Sequence, residues 1–293
     1  MMGVLNATPD SFYAGSRVPQ SEEAVARAEA MVKEGADILD IGGESTRPGA
    51  APVSLAVELS RVIPVVEALH QTLPDCPLSV DTQKAEVARQ ALARGARWVN
   101  DISALRHDPE MASVIADSGC PVVLMHMRGT PETMQQNPQY QNVMDELKVF
   151  FEERLAAAVR AGIAEVQVVL DPGIGFGKTL EHNVTILSQL SRLKVLGRPL
   201  LVGISRKSFV GRLFTSPPFP LLIGEGRPLQ QNPLPSGEGG PPQAVGEVLP
   251  PEERLPGTLA ATLWALQQGA DGVRVHDVGA TRQAITAWQA LAS

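Results

Sequence analysis

A parallel β/α barrel is the fold class this sequence predicts, and three observations predict it. Eight short apolar runs are spaced along nearly the whole chain, each stops at a polar or charged group, and the stretches between them carry helix signals. Val4-Leu5 stops at Asn6. Ile38 to Ile41 runs into Gly42-Gly43-Glu44-Ser45-Thr46-Arg47, Leu78 to Val80 into Asp81, Trp98-Val99 into Asn100-Asp101, and Val122 to Met125 into His126. Val166 to Leu170 ends at Asp171, Leu200 to Ile204 at Ser205-Arg206-Lys207, and Val273 to Val275 carries Arg274 and precedes His276. Strands of this kind alternating with helices read as βα units. Eight of them make an α/β fold of the TIM (β/α)8 type, which keeps its active site at the C-terminal ends of the strands.

The connecting segments support that order. Ser21 followed by Glu22 and Glu23 predicts an N-cap with acid in the first turn, and Gly35 closes the segment. Thr82 is placed to cap the helix that ends at Gly95. Asp108-Pro109-Glu110 offers a cap and then proline at the first helical position, ahead of Met111 to Asp117. From Val143 to Ala161 apolar residues recur at helical spacing, among them Leu147, Phe151, Leu155 and Val159, before Gly162 ends the run. Burial alone accounts for these stripes. Between Thr215 and Pro256 the periodicity lapses, with eleven prolines and six glycines. Such a composition buries too little apolar surface to offset its ordering entropy, so residues 215–256 are expected to be a flexible loop insertion. A lid docked through Phe219 to Ile223 is the alternative.

One domain covering residues 1–293 is expected, since eight βα units fill most of the 293 residues. Hydrophobic content of 44% with only 4% aromatic residues predicts an interior of Val, Ile, Leu and Ala. Cys76 and Cys120 have no metal-site or disulfide-framework spacing, which fits a reduced, cytoplasmic setting. No signal peptide or membrane span is expected from the N-terminal residues. A net charge of −7 argues against a nucleic-acid partner, because phosphate backbones require a basic face. The local cations Arg47, Arg206, Lys207, Arg274 and His276 nevertheless fall at strand ends, where an anionic small molecule could meet them.

Asp171-Pro172-Gly173-Ile174-Gly175-Phe176-Gly177-Lys178 invites a nucleotide-loop reading that fails on spacing. A P-loop needs glycine where Pro172 stands, and a dinucleotide fingerprint needs it where Lys178 stands. What remains is an acid at a strand end followed by a turn that admits close approach of a flat ligand, or simply a tight βα turn with a capping aspartate. The loop from Gly42 to Ala50 sets donors on consecutive side chains and suits an anion, although many such loops only cap helices. Ser205-Arg206-Lys207-Ser208 places two cations at a helix start, where free backbone N–H groups also favour negative charge, or else presents a solvated basic pair. Arg274 and His276 lie two apart in an extended run and so can share a face. His126 fits a structural role better than a ligand contact.

In these motifs, together with Gly3-Val4-Leu5-Asn6-Ala7-Thr8-Pro9-Asp10-Ser11-Phe12 and Leu124-Met125-His126-Met127, the sequence resembles bacterial dihydropteroate synthases. The likeness runs from Met2 to about Gly211 and again from Leu255 onward. It implies a pterin-binding barrel that joins 7,8-dihydropterin-6-ylmethyl diphosphate to p-aminobenzoate and releases pyrophosphate. By motif, Asp81, Asn100, Met125, Asp171, Phe176, Gly203, Lys207 and Arg274 would surround the pterin. Asn6, Thr46, Arg274 and His276 would meet the diphosphate, with Asn6 also a ligand of Mg2+. Phe12, Thr46, Arg47, Pro48, Phe176 and Ser208 would hold p-aminobenzoate. Asp81, Asp171, Lys207, Arg274 and His276 are the expected catalytic set, acting in a dissociative reaction, and a homodimer is implied.

Three departures stand out: Tyr13-Ala14-Gly15-Ser16 replaces the family's Ser-Asp-Gly-Gly, its N-terminal hairpin ahead of the first strand is expected to be lacking, and the insertion is atypical. A corrinoid-dependent methyltransferase on a related barrel would share the pterin contacts but has no use for diphosphate ligands. A non-catalytic pterin-binding paralogue would release no pyrophosphate.

Overall fold

The computed structural model describes residues 1–7, 20–215, 222–223, 227–228 and 248–292. Eight parallel strands form the barrel: β1 (Met2–Asn6), β2 (Ile38–Gly42), β3 (Leu78–Asp81), β4 (Trp98–Asp101), β5 (Val122–Met125), β6 (Val168–Asp171), β7 (Leu201–Gly203) and β10 (Gly272–Val275). Their order around the sheet is β6-β5-β4-β3-β2-β1-β10-β7, and a single parallel bridge between Leu170 and Leu200 joins β6 to β7. A short antiparallel pair, β8 (Leu222–Ile223) with β9 (Arg227–Pro228), stands apart. Phe12, Ala14 and most of the segment at 215–256 lie outside the described residues.

The strands include the polar groups that end the apolar runs, because those residues continue the ladder. Asn6 pairs with Gly42, Gly42 with Asp81, Asp81 with Asn100, Met125 with Asp171, and Arg274 with Gly203. These registers put the predicted strand-end residues on one rim. Successive side chains alternate between the two faces of a strand, so residues two and four positions below the rim also face inward. There Met2, Val123 and Leu201, with Ile38, Trp98 and Val169 packed against them, close the N-terminal end of the barrel. The opposite faces of the strands, with Leu5, Leu39, Ile41, Val80, Val99, Leu124 and Leu170, pack under the helices as the main core.

Helices α1 (Gln20–Lys33), α2 (Leu55–Thr72), α3 (Ala85–Ala93), α4 (Met111–Ser118), α5 (Val143–Arg160), α6 (Leu180–Ser188), α7 (Ser208–Thr215), α8 (Leu255–Gln267) and α9 (Val278–Ala292) surround it. In α2 the buried Val62, Ile63, Val66 and Leu69 form the apolar stripe, and Ser54 accepts the Val57 N–H at 3.3 Å as cap. In α5 the inward row is Leu147, Phe151 and Ala158, and Val159 is 47% exposed. The row shifts because 3.6 residues per turn carry an i+4 series off the buried face.

Several expected helix starts are displaced. Ser21 lies inside the first turn of α1, not ahead of it. Helix α3 starts at Ala85, and the backbone N–H that Thr82 receives is that of Lys84. Asp108 precedes α4 by three residues and accepts the Ala85 N–H at 2.8 Å, so it caps the neighbouring helix α3. Residues Glu165–Gln167 form a short 3-10 turn ahead of β6, leaving Val166 82% exposed instead of in the strand.

Candidate active site

The barrel mouth gathers acids from β2, β3 and β6 with cations from β10 and the turn before α7. Arg274 reaches across the barrel from β10. Its Nε donates to Asp40 Oδ2 at 2.6 Å and its Nη2 to Asp81 Oδ2 at 2.7 Å. Asn100 donates through Nδ2 to the same Asp40 oxygen at 3.0 Å. Asp40 is fully buried, and its Oδ1 has no hydrogen-bond partner. Burial works against the Arg274 charge, but Asp40 and Asp81 outweigh it and raise the guanidinium above its ordinary pKa. Burial also pushes Asp81 up to about 7: Arg274 opposes the shift, and Asp40 adds to it.

Asp171 ends β6 and is buried, accepting the Gly173 N–H at 2.7 Å through Oδ1. Burial raises its pKa while Lys207 opposes the rise. Lys207 stands 4.5 Å over the Phe176 ring and donates to the Ile174 carbonyl, and burial brings its ammonium down to about 8. Gly203 shows how closely these groups converge. A Cβ there would lie 3.6 Å from Lys207 Nζ, 3.9 Å from Arg274 Cβ and 4.0 Å from Asp171 Oδ2. An apolar floor of Ile102, Met125, Met127 and Met134, with Phe176 against it, completes one side of this recess.

His276 follows β10, with Nδ1 3.1 Å from Ser205 Oγ. Burial, then Arg274 and Arg206, depresses its pKa to about 3, which leaves a neutral imidazole. Arg206 is turned away in a two-pronged pair with Asp277. Asn6 is half-buried at the end of β1.

The loop after β2 stands farther out, with Thr46 half-buried and Arg47 and Pro48 exposed. Its base is held where Lys84 pairs with Glu44 and, at 2.5 Å, with Glu58, and Gly49 N–H reaches the Pro131 carbonyl at 3.1 Å. Ser208 is exposed at the start of α7. The structure thus brings Asp81, Asn100, Met125, Asp171, Phe176, Gly203, Lys207 and Arg274 around one recess. No hydrogen bond links Thr46, Arg47, Pro48 or Ser208 to that group.

Asp40 and Ile102 belong to this recess and were not singled out from the sequence. An acid in the middle of an apolar strand run was the available signal for Asp40, whereas Ile102 carries none.

The comparisons with known proteins decide the family. The model of the pterin binding enzyme family matches residues 2–276. A dihydropteroate synthase of Synechocystis sp. is 46% identical over 283 residues, covering 97% of this chain and 86% of the relative. The chain belongs to the dihydropteroate synthases. A solved dihydropteroate synthase of Xanthomonas albilineans with 4-aminobenzoic acid superposes with a TM-score of 0.82 at 44% identity, covering 100% of this chain and 92% of the other. The same organism's enzyme in complex with 7,8-dihydropteroate gives 0.80 at 42% identity, covering 100% and 93%. A pterin-binding TIM barrel and a transferase of this family are therefore what the chain is. In these family terms, the acids and cations of the mouth surround the recess without a side chain set up as a covalent nucleophile among the described residues.

Proposed function

We propose that this synthase condenses 7,8-dihydropterin-6-ylmethyl diphosphate with p-aminobenzoate to give 7,8-dihydropteroate and pyrophosphate, through departure of pyrophosphate ahead of amine attack. The observation that carries the reading is the meeting of Asp81, Asp171, Lys207 and Arg274 around Gly203. A reduced pterin presents an amino and ring N–H edge that suits carboxylate acceptors and a carbonyl side that suits an ammonium. Asp81, Asn100 and Asp171 are its partners on one edge and Lys207 on the other, with Met125, Phe176 and Gly203 against the ring. Each charge-assisted contact of this kind contributes about 1.5 to 3 kcal/mol.

Arg274 and a neutral His276 donate to the diphosphate, joined by Asn6 and Thr46. The C–O bond breaks with its electron pair on pyrophosphate, and the dihydropterin ring delocalises the methylene cation while the two aspartates stabilise it. The aromatic amine then adds at that carbon and loses a proton. Phe12, Thr46, Arg47, Pro48, Phe176 and Ser208 hold p-aminobenzoate, its carboxylate lying toward the N-terminus of α7.

Asn6 fits Mg2+ as a neutral oxygen donor half-buried at the mouth. Among the described residues no group of three or more His, Cys, Asp or Glu could hold an ion alone, so the diphosphate would supply further oxygens. When bound, the ion would neutralise charge on the departing pyrophosphate. No helix among the described residues is long and apolar enough to cross a membrane, and Cys76 and Cys120 are free thiols. We place the enzyme in the cytoplasm as a homodimer.

Mixing both substrates with Mg2+ and following pyrophosphate and dihydropteroate tests the activity; no release above the enzyme-free rate would refute it. Scrambling of an 18O label from the bridging to the non-bridging oxygens, with aminobenzoate omitted, tests the order of bond breaking.

A further inference from the structure

Lys178 is a buried lysine that the proposed chemistry does not use. Its Nζ lies 2.9 Å from His126 Nδ1, 3.0 Å from the Phe176 carbonyl oxygen and 3.4 Å from the His126 carbonyl oxygen. His126 belongs to the loop after β5 and Phe176 to the loop after β6. The two loops pack backbone to backbone through glycines that no other residue could replace. Gly173 has φ +67°, and a Cβ there would collide with the His126 carbonyl; Gly177 has φ +63°, and a Cβ would lie 2.6 Å from the Arg128 carbonyl oxygen. That approach turns two carbonyl oxygens and an imidazole toward one point, and Lys178 occupies it.

The consequence reaches the recess through three neighbours. Met125 immediately precedes His126, and the His126 N–H donates to the Asp171 carbonyl at 2.9 Å. Phe176 carries both the Lys178 contact on its carbonyl and the Lys207 ammonium over its ring. The loops are further tied where Gln135 Nε2 donates to the Gly175 carbonyl at 2.7 Å and Tyr140 Oη to the Gly177 carbonyl at 2.8 Å.

We propose that Lys178 is a positioning residue, an internal ammonium clamp joining the loops after β5 and β6 so that Met125, Asp171 and Phe176 present one rigid wall to the pterin. The inference rests on the pterin-binding reading of that recess. As an ammonium, Nζ spends all three of its N–H groups on these contacts, and the proposed clamp then requires His126 Nδ1 as acceptor with the ring proton on Nε2. Burial drives the Lys178 pKa well below its ordinary range, and the Asp171 carboxylate opposes that shift.

The test is Lys178→Met, which keeps the length of the side chain and removes a buried charge, a change cores often tolerate. The KM for pterin diphosphate, which meets Met125, Asp171 and Phe176, is expected to rise about tenfold or more, the scale of losing a charge-assisted contact, while the KM for p-aminobenzoate, which meets only Phe176 of that wall, rises several-fold less. Lys178→Arg should recover part of the loss. Unchanged pterin KM in the folded variant, or equal losses for both substrates, would overturn the clamp.

A second measurement needs no variant: 15N spectra of histidine-labelled wild type should show His126 as the neutral Nε2–H tautomer. A proton on Nδ1 would overturn the clamp equally. Failure of wild type to bind pterin diphosphate would instead sink the functional reading, and the tautomer would still judge the clamp.

Discussion

Replacing Arg274 by Met should expose how strongly two buried acids depend on one guanidinium. Arg274 donates to Asp40 at 2.6 Å and Asp81 at 2.7 Å, and Asp40 has no exposed surface through which water could compensate. Removing one partner of a buried pair leaves an uncompensated charge and costs about 3 to 5 kcal/mol. That is a large part of the roughly 5 to 15 kcal/mol that stabilises an ordinary domain. Asp81, which burial already raises to about 7 against the opposing pull of Arg274, would then titrate higher still, well above the unfolded carboxylate value near ~3.9. The folded variant would bind a proton on Asp81 that the unfolded chain does not, so its stability falls as pH rises through the folded Asp81 pKa.

Urea unfolding of Arg274→Met should therefore show a larger deficit at about pH 8 than at about pH 5.5. Adding Asp40→Asn removes the worse-placed charge and should restore at least about 1.5 kcal/mol. A double variant no more stable than Arg274→Met alone would refute the account, as would a deficit independent of pH.

Ionised Asp81 and charged Lys207 coexist in the free enzyme only above about 7 and below about 8, so kcat/KM should peak between those values and fall on both sides; a flat profile from pH ~6 to ~9 would contradict the assigned pterin contacts. Gly203→Ala places its methyl at ordinary contact distances and should leave urea stability within about 0.5 kcal/mol, yet weaken pterin binding by occupying the recess, as calorimetry can read. Arg274→Ala should lower turnover far more than the affinity for a pterin lacking diphosphate. Thr179 caps α6 by accepting the His182 N–H at 3.2 Å, so Thr179→Ala should cost about 1 kcal/mol in denaturant without moving either KM.

The barrel was legible because its strands are short apolar runs with a polar stop, and the stop is itself in register with its neighbours. Asp81, Asn100 and Asp171 could be located that way before any coordinate was known. Asp40 could not, since within Ile38-Leu39-Asp40-Ile41 nothing local says that an arginine 234 residues away will neutralise it. Helix starts were less readable for a related reason. Asp108 can cap whichever N-terminus is nearest in space, and that proved to be α3. The strand over Val168–Asp171 begins two residues later than its hydrophobicity suggests, because Val166 serves a surface turn.

The apolar plug at the N-terminal end, built from Met2, Val123 and Leu201, makes the barrel a blind well. A well fills from the bottom and empties from the top. Whichever reactant reaches Asn100 and Asp81 has to arrive before anything lodges above it. Among the described residues the plug closes the far end, so on the function proposed above the ligand that sits deeper would have to enter first.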